Sequence, residues 1–308
     1  MGSGIMAQNI NDKIFFPSDL KSAALVKNPL AVFGKPIAHS QSPKMQNAAL
    51  HWISERNPEF ENWRYYKFEV APEQLNDVLP EFHQAGFRGI NLTIPHKQVI
   101  FDCAKKSEIK FDKFSEMAGA CNTLIRTESG WLGTNTDGFG LAKAIFQFSG
   151  RVFKDSDVVI FGAGGAARAA AFKAALEGAR SISISNRSQS RLGELIAALK
   201  LSNLDAQALS DASQIKASSI VINATSLGLK PSDLPILDFS KLAKDCVFFD
   251  MPYVSGGETS SVNAARKAGF KACSGLPMLA WQGALSLNFW TGADIETIGG
   301  VMLKALLD

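Results

Sequence analysis

The chain has 308 residues, enough for two ordinary domain cores. Hydrophobic residues make up 46% and charged residues 20%, the balance of a globular protein, and a formal net charge of +3 is too small to imply a nucleic-acid or membrane partner. The cysteines Cys103, Cys121, Cys246 and Cys273 show no paired metal spacing, the histidines are scattered, and no apolar run can span a bilayer. The expectation is a reduced cytoplasmic protein without a metal.

Residues 1–28 are polar and irregular, and three readings stay open for them: a tag remnant, a flexible arm or an extra helix. Leu30-Ala-Val-Phe-Gly34 reads as a buried strand stopped by a glycine turn, and a helix follows from about Pro43 to Ser54, with proline in its first turn. Arg64 to Val70 alternates like a strand, Pro72 opens a helix to about Ala85, and Phe87 to Thr93 gives another strand. Phe111 to Ala118 reads as helical, and Ala120 to Arg126 with Gly130 to Gly133 as a hairpin.

After Gly138 the alternation restarts. A helix at about 139–148 precedes the apolar strand Val158-Val-Ile-Phe161, and a glycine run then opens an Ala-rich helix over 165–177. Arg180 to Ser185, Ser219 to Asn223 and Cys246 to Asp250 are further strands, Ser190 to Leu199 is a helix, and the stretch from about Leu276 is helical and apolar. Strands alternating with helices imply α/β layers with parallel strands.

Gly162-Ala-Gly-Gly-Ala166 joins that apolar strand to its helix. Its first glycine allows a tight turn, the second lets the backbone approach a pyrophosphate, and the helix amides face the anion. At the end of the next strand a carboxylate would hold the ribose hydroxyls of NAD. Asn186-Arg187-Ser188 stands there instead, with Arg191 one turn on. Two guanidiniums and no carboxylate suit a 2′-phosphate, so NADP is the expected cofactor.

Two short polar runs point to the chemistry. Asn91-Leu-Thr-Ile-Pro-His-Lys97 offers an ammonium, and Gly133-Thr-Asn-Thr-Asp-Gly138 a carboxylate, each among hydroxyls and amides. Reducing a ring ketone builds negative charge on its oxygen, which an adjacent ammonium can stabilise and protonate, and hydroxyls and amides suit a polyol. Taken alone, Lys97 reads as a surface lysine, and Asp137 also suits a helix cap.

With Gly34-Lys-Pro-Ile-Ala-His-Ser-Gln-Ser-Pro43, Ala118 to Thr123, Asn223-Ala-Thr-Ser226 and Met278-Leu-Ala-Trp-Gln282, the ordered set of motifs closely resembles the shikimate dehydrogenase family from about Ala31 to the C-terminus. The resemblance implies an α/β protein of two domains with a cleft and a closing hinge between them. Residues 29–136, with 278–308 returning, would form the substrate domain, and 137–277 a doubly wound Rossmann-type NADP domain. It also implies reversible, NADPH-dependent reduction of 3-dehydroshikimate to shikimate by a cytoplasmic monomer or homodimer. Lys97 and Asp137 would be catalytic. Ser40, Ser42 and Tyr253 would meet the substrate carboxylate, and Asn91, Thr93, Asn122 and Gln282 its hydroxyls. Gly162, Ala163, Gly164, Gly165, Ala166, Asn186, Arg187, Ser188, Arg191, Thr225, Gly275, Met278 and Leu279 would hold the cofactor.

Gln46, Leu229, Pro252, Ser255 and Pro277 depart from the family pattern, the last three near the expected nicotinamide pocket. Two rivals follow from the same residues. One is a quinate/shikimate dehydrogenase with relaxed substrate or NAD use, against which the serine pair leans, since some quinate-using relatives carry threonine there. The other is a non-catalytic NADP-binding sensor, which loss of the lysine or aspartate would favour.

Overall fold

The computed structural model describes residues 10–21, 26–230, 232–254 and 257–308; residues 1–9 and 22–25 of the expected N-terminal arm, and Ser255, lie outside them. The chain divides into two compact units, Met1–Thr136 with Ala280–Asp308, and Asp137–Leu279.

Unit 1 is built on a seven-stranded mixed sheet. Its strands are β1 (Ile14–Phe15), β2 (Asn28–Gly34), β3 (Trp63–Glu69), β4 (Gly89–Leu92), β5 (Ile109–Phe111), β6 (Thr123–Arg126) and β7 (Trp131–Thr134), in the order β1-β3-β2-β4-β6-β7-β5. The first four in that order run parallel, whereas β4, β6 and β7 pair antiparallel. Every position of β2 is buried, as a central strand covered on both faces requires. In β3, Tyr66 and Phe68 enter an aromatic core, where the rings of Phe33 and Phe68 each lie edge-on to Phe82, at 4.7 and 4.8 Å. Burying each such ring contributes roughly 1.5–3 kcal/mol. Phe82 comes from the Leu75–Gln84 helix, which covers this face with Leu75, Val78 and Leu79. Helix Ile295–Leu307 packs against helix Ser42–Ser54 in the same unit.

Two short strands of unit 1, β1 and β5, lie where the sequence reading placed none, as do Gln207–Ala208 and Lys271–Ser274 of unit 2. Phe15 of β1 packs against Tyr66 and Phe68, so residues 14–15 extend the sheet at its edge. Phe111 ends β5 instead of opening a helix: Asp112 caps Lys113–Ala118 by accepting from the Ser115 amide at 2.7 Å, which forces the helix to begin after it.

Unit 2 carries a six-stranded, fully parallel sheet of β8 (Asp157–Phe161), β9 (Ser181–Ser185), β10 (Gln207–Ala208), β11 (Ile220–Asn223), β12 (Val247–Asp250) and β13 (Lys271–Ser274). Its order, β10-β9-β8-β11-β12-β13, winds outward in both directions from β8 and β11. This is a doubly wound sheet, and ligands of such sheets bind at the carboxyl ends of the strands where the winding reverses.

Candidate active site

In unit 1 the sheet's alternation gathers polar side chains onto one face. Asn91 of β4 stands opposite Thr123 of β6, which stands opposite Thr134 of β7. Asn91 is almost fully buried and serves as a hub. Its Oδ1 accepts from the Tyr65 hydroxyl at 2.7 Å, and its Nδ2 lies 3.0 to 3.1 Å from Thr123 Oγ1, Ser286 Oγ and the Asn122 carbonyl. Burial pushes the Tyr65 phenol well above its ordinary pKa, which keeps it a donor to Asn91. Asn122 continues the network: Oδ1 accepts from the Thr136 amide at 2.8 Å, and Nδ2 donates to Thr136 Oγ1 at 2.9 Å and Gln282 Oε1 at 3.1 Å. Ser286 lies 2.8 Å from Thr123 Oγ1 and donates to the Gln282 carbonyl at 3.0 Å.

The structure thus joins the expected residues Asn91, Asn122 and Gln282 in one buried amide–hydroxyl cluster. It adds Tyr65, Thr123, Thr136 and Ser286, which sequence reasoning did not single out. Ser286 carried a usable signal, since it stands four residues after Gln282 on the same helical face. A buried cluster of this kind depends on every partner. Asn122→Ala leaves the Thr136 amide without its acceptor, and we expect a loss of about 1–3 kcal/mol in urea unfolding; an unchanged midpoint would contradict this.

Other candidate residues of unit 1 sit on turns around the sheet. Ser40 Oγ accepts from the Ser42 amide at 3.3 Å, so the serine pair is one local unit opening helix Ser42–Ser54. Thr93 follows β4 and donates its amide to the Phe33 carbonyl. Lys97 occupies the short helix His96–Val99, whose backbone is pinned on both sides. The His96 amide donates to the Thr93 carbonyl at 2.8 Å, and the Lys97 carbonyl accepts from Cys121, the residue before Asn122, at 2.8 Å. His96 is fully buried with Nε2 2.9 Å from the Val70 carbonyl. A carbonyl only accepts, so Nε2 carries the hydrogen, and burial lowers the pKa and keeps the ring neutral. Gln46, one of the unusual positions, is wholly buried and donates to the Gly283 carbonyl at 3.1 Å. A separate cavity of about 610 Å³, lined by Trp63, Arg88, Arg126 and Trp290 among others, contains none of the candidate site residues.

In unit 2, Asp137 is 3% exposed and opens helix Asp137–Ser149. The glycine turn fits a pyrophosphate. Gly162 has φ +121°, and a Cβ there would meet the Ala224 carbonyl oxygen at 2.9 Å, so the turn after β8 is closed down on the turn after β11. Gly164 has open space where a Cβ would stand, and it begins helix Gly165–Leu176 without a side-chain cap, leaving the first amides for an anion. After β9, Asn186 Nδ2 donates to the Ser188 carbonyl at 2.9 Å, and Ser188 caps helix Gln189–Leu201. Arg187 and Arg191 are exposed on that turn, and among the described residues neither forms an ion pair. Thr225 hydrogen-bonds to Asn223 Oδ1 through both its amide and its hydroxyl. Gly275 lies so close to Met251 that a Cβ would stand 1.9 Å from its carbonyl oxygen. Its own amide donates to the Pro252 carbonyl, so unusual Pro252 is part of the same close packing. Tyr253 and Leu279 are half-buried and Met278 is buried.

Asp250, at the end of β12, is fully buried and accepts from Asn223 and Thr259. Burial pushes its carboxyl up to about 6. The folded chain therefore holds this proton more tightly than the unfolded chain, and the stability it contributes is lost as pH rises through about 6. Asp250→Asn should remove that loss, gaining on the order of 3 kcal/mol over wild type at pH 8 relative to pH 4. Parallel urea titrations at the two pH values check this, and an identical pH dependence in both proteins would refute it.

Comparison with known proteins agrees with this geometry. Residues 32–124 match the shikimate dehydrogenase substrate binding domain, and residues 140–243 match the shikimate / quinate 5-dehydrogenase domain. A shikimate dehydrogenase (NADP+) of Methanosarcina barkeri is 38% identical over 292 residues, covering 91% of this chain and 99% of that one. The chain belongs to the shikimate dehydrogenase family. Among solved structures, the Thermus thermophilus enzyme in complex with NADP(H) and shikimate superposes with a TM-score of 0.75 at 31% identity, covering 91% of this chain and all 100% of that one. A 5-ketofructose reductase of Gluconobacter sp. strain CHM43 also superposes, with a TM-score of 0.76 at 27% identity, over 91% and 98% of the two chains. The family is one of NADP-dependent oxidoreductases, and among the described residues no helix is long and apolar enough to cross a membrane.

Proposed function

We propose that this chain is an NADP-dependent shikimate dehydrogenase that reversibly reduces 3-dehydroshikimate to shikimate in aromatic amino acid biosynthesis. The observation that carries the reading is the buried cluster around Asn122. It is dense in hydroxyl and amide groups, and both proton-handling candidates attach to it through the backbone. Asp137 follows Thr136 directly, and the Lys97 carbonyl is bonded to Cys121, next to Asn122.

The nicotinamide, when bound, supplies or accepts the hydride. Lys97 hydrogen-bonds the reacting ring oxygen, stabilises the negative charge that develops on it and hands it a proton from Nζ. Asp137 accepts a hydrogen bond from the hydroxyl next to that oxygen. Asn91, Thr93, Asn122 and Gln282 recognise hydroxyls, with Asn91 chiefly tying the cluster together. Ser40, Ser42 and Tyr253 hold the carboxylate. Gly162, Ala163, Gly164, Gly165 and Ala166 cradle the pyrophosphate, and Asn186, Arg187, Ser188 and Arg191 take the 2′-phosphate. Thr225, Gly275, Met278 and Leu279 border the nicotinamide. The protein acts in the cytoplasm as a monomer or homodimer.

The test is reduction of 3-dehydroshikimate by NADPH with the product identified by NMR. Shikimate as sole product supports the reading. NADPH binding without turnover would replace it with the sensor reading.

A further inference from the structure

Lys67 lies outside every motif that carries the family resemblance, yet it is 3% exposed in the middle of β3. An ammonium so deep in a sheet is costly unless something anionic or strongly accepting meets it. Its place in the sheet is specific. Lys67 stands opposite Val32 of β2, which stands opposite Asn91, which stands opposite Thr123. Residues in register across a sheet project to one face, so Lys67 shares the face that bears the amide–hydroxyl cluster. Two positions earlier on this face, Tyr65 bonds Asn91 and reaches the Ser42 side chain.

Lys67 Nζ donates to the Ala38 carbonyl at 3.2 Å. Ala38 sits in the turn between β2 and helix Ser42–Ser54, two residues before Ser40. Among the described residues Lys67 forms no ion pair. Asp12 is the carboxylate whose field it feels, while burial lowers its pKa. Among the described residues the ammonium has three donors and this one acceptor, with Asp12 acting only through its field, so its charge is not neutralised by an ion pair beside the serine turn.

We propose that Lys67 is a positioning and specificity residue for the substrate's carboxylate: its ammonium clamps the Ala38 carbonyl, fixes the turn that presents Ser40 and Ser42, and sets a positive potential where the carboxylate binds. The inference rests on the shikimate dehydrogenase reading. It gives the fold a means to prefer a carboxylated ring over a neutral polyol ketone, the kind of substrate that the ketofructose reductase's name implies for that relative.

The test compares shikimate with its methyl ester, which keeps the ring and hydroxyls and loses the charge, using full-length wild type, Lys67→Met, Lys67→Gln and Lys67→Arg. The uncharged variants should raise KM for shikimate about ten-fold or more, with kcat and KM for NADP+ within about two-fold and the ester's kcat/KM lowered by about three-fold at most; the arginine variant should keep most of the acid's advantage. A merely structural lysine would lower activity on acid and ester equally, and that result overturns the proposal, as does an unchanged KM for shikimate. Lys67→Gln retains a donor for Ala38 and carries the comparison if Lys67→Met melts below assay temperature; failure of both to fold would make Lys67 a packing residue and overturn it too. A wild type that turns over neither compound refutes the dehydrogenase reading instead, so the two failures are distinguishable.

Discussion

Lys97→Ala is expected to lower kcat by on the order of 10³-fold while leaving shikimate affinity within about three-fold. The reasoning is differential. In the proposed site the ketone or alcohol oxygen would have neighbouring hydroxyl and amide partners in the ground state, so one lost hydrogen bond would change binding little. In the transition state that oxygen carries developing charge, and the loss of an aligned ammonium is felt in full. The alignment comes from the backbone of the His96–Val99 turn, tied to Thr93 on one side and Cys121 on the other, with the buried neutral ring of His96 fastened to Val70. Lys97→Arg should not rescue the rate, because a guanidinium keeps its proton throughout the working pH range and presents a wider, planar head. Stopped-flow turnover alongside calorimetric titration of shikimate separates the two quantities. A loss of shikimate affinity with kcat intact would mean that Lys97 only binds.

The double substitution Arg187→Ser with Arg191→Ser should raise KM for NADP+ by roughly 10- to 100-fold and change KM for NAD+ by less than about two-fold. Both guanidiniums are exposed, and neither forms an ion pair among the described residues, so their removal costs the fold little. A 2′-phosphate carries close to two negative charges and would meet both. NAD lacks that group and has no carboxylate at Asn186–Ser188 to hold its ribose hydroxyls, so the variant becomes a poor enzyme with either cofactor. A substantial gain with NAD+ would show that the arginines act by excluding it. The contrast should shrink at high salt, because exposed charges are screened.

The parts of this protein that were readable in the sequence are those where geometry demands a particular residue. The turn after β8 needs Gly162, because no side chain fits at φ +121° against Ala224. The expectation of NADP could be formed because a missing carboxylate and two arginines after β9 change the local charge in a way the sequence displays directly. The long apolar strands and the amphipathic helix carrying Phe82 announce themselves by periodicity. What escaped notice lacks such a signature. Tyr65, Thr123 and Ser286 are ordinary strand and helix residues until the fold stacks β3, β4, β6 and the Leu276–Thr291 helix. Their partners lie up to 195 residues away in the chain, as for Asn91 and Ser286. Lys67 was hidden by the alternation of β3, in which a charged residue at an every-second position reads as the wet face of a sheet. In this unit that face is covered by helices, so the lysine is buried. Strands β1, β5 and β10 have no counterpart in the sequence reading because two or three residues give no period, and β13, Lys271–Ser274, has none because it carries only a single alternation of small residues.

The most direct test of the central claim is a two-by-two assay of the purified chain, with shikimate or quinate as substrate and NADP+ or NAD+ as cofactor, followed by nicotinamide absorbance. Turnover confined to shikimate with NADP+ is the predicted result. Preference for quinate, or equal use of NAD+, would contradict the roles given to Ser40 and Ser42 or to Arg187 and Arg191, and no turnover in any combination would contradict the assignment as an enzyme.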